Sequence, residues 1–213
     1  GAANGSMTIL AGLRGARVLS FEAAPGIFAV AHRNTEINNF TNEVKVVNAA
    51  ISNHDGVMTF SRKSDNKVLS SIVFTSLENS SNQIQVQNLS EVIQYFHKPA
   101  RDLVLKVDIE GAEWRLFQDT EIIKSLARHK ATVLLAIHPG FQRPFRKYPL
   151  GLTMFSKTVW QLKNAVETYQ VFKKLFAHAH IQRTSRDFIA SPRKTVALMF
   201  GGYFEFILTF DKS

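Results

Sequence analysis

The chain has 213 residues, 45% hydrophobic and 20% charged, and no cysteine, which suits one domain with a real core and excludes disulfides and thiolate metal ligands. No apolar run reaches the roughly 20 residues that span a bilayer, and no charged-then-apolar leader opens the sequence, so no membrane span and a cytoplasmic location are expected. The net charge of +9 is uneven: Lys and Arg outnumber Asp and Glu by one over residues 1–138 and by eight over 139–213, which fits either an anionic partner or a solvated basic face.

In chain order, Gly1–Gly5 is a glycine-containing turn that runs into a helix, Ser6–Leu13. Arg17–Phe21 reads as a strand, Ile27–Asn38 as a helix and Lys45–Ala49 as a second strand. Val57–Ser61 follows as another strand. Residues 62–81, rich in Ser, Asn and Lys, read as a loop or lid. Ile84–Gln87 is a short strand and Ser90–His97 a helix. Leu103–Val107 and Thr132–Ile137 are strands that enclose two helices, Ala112–Phe117 and Ile122–His129. The loop Gly140–Leu152 carries Arg143, Arg146 and Lys147, and an amphipathic helix, Thr153–Thr168, holds Trp160. At the end, Thr195–Phe200 and Tyr203–Phe210 flank Gly201-Gly202, the pattern of an antiparallel hairpin.

Short, nearly continuous apolar strands alternating with helices predict an α/β fold. The sheet is expected to be doubly wound and mostly parallel, with helices on both faces and the hairpin at its end. One domain is expected over 1–213, with 139–213 its basic C-terminal part.

Two motifs carry chemistry. In the first, Glu22 ends a strand about twenty residues after the glycine turn, where a carboxylate can accept hydrogen bonds from a ribose diol. Ala3 stands where a dinucleotide fold would place its second glycine, which disfavours a pyrophosphate and a nicotinamide cofactor. The second is Lys106-Val107-Asp108-Ile109-Glu110-Gly111-Ala112-Glu113-Trp114, three carboxylates and a lysine at the carboxyl end of an apolar strand, the ligand edge of such sheets. Asp108 and Glu110 either face a ligand or complement the helix that follows. His178 and His180 alternate with no acidic partner at ligand spacing, and no metal site is expected.

The stretch Val107–Trp114 resembles the signature of the FkbM family of methyltransferases. Gly1–Gly5, Val18–Glu22 with Pro25, Asn48–Ser52 with Asp55-Gly56, Val86–Val92 and Leu134–His138 resemble that family's other landmarks in the same order. The resemblance covers about residues 1–140. It implies a Rossmann-like fold whose first strand lies upstream of Gly1, and S-adenosylmethionine as cofactor. It places Gly1, Ala3 and Gly5 beneath the methionine part, Glu22 on the ribose hydroxyls, Ala50 beside the adenine, and Asp108 and Glu110 toward the sulfonium and the acceptor. Asp108, Glu110 and His138 are the candidate bases for a hydroxyl acceptor, with Lys106 either orienting Asp108 or pairing at the surface. The expected substrate is a small molecule, a sugar or polyketide hydroxyl. The alternatives are a nucleic-acid methyltransferase or binder acting through the basic part, and a non-catalytic nucleoside-binding scaffold.

Overall fold

The computed structural model describes residues 1–40, 43–59, 83–109, 112–137, 166–167, 169–183 and 204–210. The chain divides into two compact units, Gly1–Phe96 and His97–Ser213.

In the first unit the order is α1 (Ser6–Leu13), β1 (Val18–Phe21), α2 (Pro25–Ile37), β2 (Val44–Val47), β3 (Ala49–Ser52), β4 (Gly56–Thr59), β5 (Gln83–Asn88) and α3 (Leu89–Phe96). The helix α1 lies so close to β2 that a Cβ on Gly12 would stand 2.8 Å from Cγ2 of Val44. Pro25 opens α2, where its missing N–H costs nothing and its fixed φ suits a helix start. Strands β1 and β2 pair in parallel from Val18↔Val44 to Phe21↔Val47. The run Lys45–Ala49, expected as one strand, is broken at Asn48: β3 leaves to pair in parallel with β5, and β4 pairs antiparallel with β5 on its other edge. Ala24, Ala50, Ile84 and Val86 form a small apolar core beneath this second sheet.

The second unit holds β6 (Val104–Val107), α4 (Glu113–Gln118), α5 (Thr120–Arg128), β7 (Thr132–Ile137), a helix over 169–178, β8 (His180–Arg183) and β9 (Phe204–Thr209). Its sheet runs β6-β7-β9-β8, with β6 parallel to β7 and β9 antiparallel to both its neighbours. Asp119 caps α5, its carboxylate accepting the Glu121 N–H at 2.8 Å. The core is aromatic: Phe172 packs edge-on against Trp114 at 6.0 Å and Phe206 at 5.5 Å between ring centres. Phe117 and Phe210 are also buried, so these phenylalanines serve as core.

The fold is mixed α/β. Parallel and antiparallel pairings are equally frequent among the described strands, so the expected predominance of parallel pairing does not hold there. The reason lies in β4, which folds straight back after Ser52, and in β9, which runs against β7. Both edges of β9 from Phe206 to Thr209 are taken, by β7 and β8. The expected hairpin arm Thr195–Phe200, the loop or lid 62–81 and the loop Gly140–Leu152 lie outside the described residues, as does Trp160.

Candidate cofactor site

The site in the first unit is organised by one carboxylate. Glu22 follows β1 directly and is buried, 9% exposed. Its backbone N–H donates to Val47 O at 3.0 Å, the last rung between β1 and β2. Its side chain then accepts two backbone N–H groups, Ala3 N at 3.0 Å on Oε2 and Ala24 N at 3.1 Å on Oε1. A buried carboxylate is costly unless hydrogen-bonded, and here each oxygen has a donor. Each oxygen also keeps a second lone pair, so the group can accept two more hydrogen bonds side by side. A vicinal diol offers that pair of donors.

The glycine loop is shaped from within. Ala2 N donates to Phe21 O at 2.8 Å and Gly5 N to Ala2 O at 2.9 Å. Ser6 N donates to the Asn4 side chain at 3.2 Å. Gly5 caps α1 at φ 84°, and a Cβ there would sit 3.3 Å from the Ala31 backbone. Ala3 adopts φ 50°, a conformation that its bond to Glu22 helps to hold. Asn34 ties α2 to the loop through a 2.8 Å bond to Asn4 O, and Thr8 on α1 meets Ser20 on β1 at 2.7 Å.

This pairing bears on ligand class. A pyrophosphate at a helix N-terminus needs free backbone N–H groups. Here the donors of Ala2, Ala3, Gly5 and Ser6 are already engaged, and the acceptor on Ala3 is itself an anion. The loop around Glu22 thus offers a phosphate few donors and a negative charge. Ala50 lies on β3, 4% exposed, in the small apolar core.

In the second unit, Asp108 follows β6 and receives Lys106 Nζ at 2.7 Å. Lys106 and Asp108 are about one-third exposed, 37% and 30%. Glu113 is 1% exposed and accepts the Ile109 N–H at 3.2 Å, so it holds the turn after β6 from inside. Desolvation lowers the Arg115 guanidinium from its ordinary value. Glu110, Gly111 and His138 lie outside the described residues.

Two residues with evident work were not among the expected site residues. Glu113 is one, and Asn48, whose amide donates to Glu22 O at 2.8 Å and Ala23 O at 3.3 Å, is the other. The signal for Asn48 was a polar amide inside an apolar strand run. Among the described residues no group of three His, Asp or Glu side chains could hold a metal, and no helix is long and apolar enough to cross a membrane.

A model of the FkbM methyltransferase domain matches residues 1–173. The chain belongs to this family. The match spans the glycine loop, Glu22, Asn48 and the whole of the Lys106–Trp114 motif. No curated protein sequence matches the chain. A solved structure of an FkbM methyltransferase from Methylobacillus flagellatus KT is similar over 99% of this chain and 42% of that one, at 13% identity and a TM-score of 0.49. The chain thus spans less than half the length of that protein.

Proposed function

We propose that this FkbM-family chain is an S-adenosylmethionine-dependent methyltransferase that methylates a hydroxyl of a small molecule, of the sugar or polyketide kind. The observation that carries the reading is the family match, which takes in both chemical motifs in one stretch. The glycine loop supports it, because its committed donors suit a phosphate-free nucleoside. When bound, the cofactor supplies a methyl group activated by a sulfonium.

The chain's own residues divide the remaining work. Glu22 accepts the ribose hydroxyls with the lone pairs that Ala3 and Ala24 leave open. Gly1, Ala3 and Gly5 lie beneath the methionine part, and the strand carrying Ala50 borders the adenine. Asp108, Glu110 and His138 are the groups that receive the acceptor's proton, which requires one of them within about 3 Å of the hydroxyl. Lys106 orients the Asp108 carboxylate through their 2.7 Å hydrogen bond. Holding the acceptor in line supplies several kcal/mol, with about 7–11 kcal/mol the upper range for such positioning.

The test is calorimetric titration of S-adenosylhomocysteine into the protein and into Glu22→Ala. Hydrogen bonds to a charged group contribute about 1.5–3 kcal/mol, so the variant should bind roughly ten- to a hundredfold more weakly. A folded wild-type protein that takes up no S-adenosylhomocysteine would refute the reading.

A further inference from the structure

We infer that Asn48 is a positioning residue for ribose recognition, acting through Glu22. The inference rests on the reading that Glu22 holds the ribose, and it adds what sets the angle of that carboxylate.

The ladder between β1 and β2 stops at the bond from Glu22 N to Val47 O. One residue later the chain turns away, because β3 pairs with β5. The carbonyls of Glu22 and Ala23 thereby lose the strand that would have supplied their donors. Asn48 supplies both from one amide, at 2.8 Å and 3.3 Å. These two peptides are the link between the end of β1 and Ala24, and the Ala24 N–H is one of the two donors that fix the Glu22 carboxylate. The amide therefore pins the short turn whose far end orients the acid. A residue that merely ended β2 would not need two protons aimed at these carbonyls. An aspartate of the same shape would present oxygens to two carbonyl oxygens and push the turn apart.

The consequence is selective. If the turn slackens, the interaction with the ribose hydroxyls weakens, while contacts to the rest of the cofactor persist. The experiment compares S-adenosylhomocysteine with its 2′,3′-dideoxy analogue by calorimetry, in wild type, Asn48→Ala and Asn48→Asp, with thermal melting as the fold control. Wild type should prefer the ribose form by about tenfold or more, the loss of one or two hydrogen bonds to a charged acceptor. Both variants should lose most of that preference while binding the dideoxy form within about twofold of wild type, and Asn48→Asp should lose more.

Equal weakening toward both ligands in the variants would make Asn48 a plain structural residue and overturn the inference. So would an unchanged preference, or a failure of both variants to fold. If wild type itself does not discriminate, the ribose role of Glu22 is wrong, and the inference about Asn48 is refuted along with it.

Discussion

Single atoms decide much of this site. Gly5 and Gly15 share a left-handed backbone, φ 84° and 77°, but only Gly5 is crowded, its missing Cβ lying 3.3 Å from the Ala31 backbone. Gly15→Ala should therefore cost about 1–2 kcal/mol of conformational strain. Gly5→Ala should cost visibly more, because the helix α2 must move as well. Parallel denaturant titrations of the two variants check this, and equal losses would mean that the Ala31 contact is soft. The Lys106–Asp108 pair makes the opposite kind of prediction. A pair this exposed contributes about 0.2–1 kcal/mol to stability. Lys106→Met should leave the melting temperature nearly unchanged. It should lower turnover by about tenfold or more if the lysine orients a reacting carboxylate, since small misplacements are costly in rate. A large drop in stability would instead assign Lys106 to the fold.

At the level of elements, the sequence was most readable where one pattern acted alone. Ser6–Leu13 and Thr132–Ile137 form as their apolar spacing predicts, to the residue. The run Lys45–Ala49 misled because periodicity sees side chains and not carbonyls. The Asn48 amide takes over the backbone's hydrogen bonding and ends β2 inside an apolar stretch. β8 carries little pattern of its own: His-Ile-Gln-Arg has one apolar residue and takes its place in the sheet by pairing along β9. Of the expected helix Thr153–Thr168 all but 166–167 lie outside the described residues; the helix over 169–178 was not expected, and it is anchored by Val171, Phe172 and Leu175, which are almost wholly covered. Phe172 joins that helix to α4 and to β9. Phe172→Ala should destabilise the protein by about 3–5 kcal/mol, measurable by urea unfolding. A loss under about 1 kcal/mol would show that Trp114 and Phe206 close the gap.

For the molecule as a whole, the fold class was legible because strand and helix alternate. The division of pairing between parallel and antiparallel was not, since it depends on partners distant in sequence, as Thr132 and Thr209 are. Glu22 could be singled out as a candidate from its position after a strand. Its partners could not, because Ala3 and Ala24 contribute backbone N–H groups, which any residue but proline would offer. Glu113 was hidden likewise: its spacing reads as a helix start, and only its burial shows that it secures the turn.

The engaged donors of the glycine loop also bear on how this chain could be retuned. Restoring a glycine at position 3 would not by itself make a dinucleotide cradle. The amide at that position would still be pointed at Glu22, and an incoming phosphate would meet that negative charge. A change of ligand class would require the acid to go together with the alanine. On the proposed reading, preference for an unphosphorylated nucleoside would rest on two positions together, Ala3 and Glu22, which single substitutions would not easily undo.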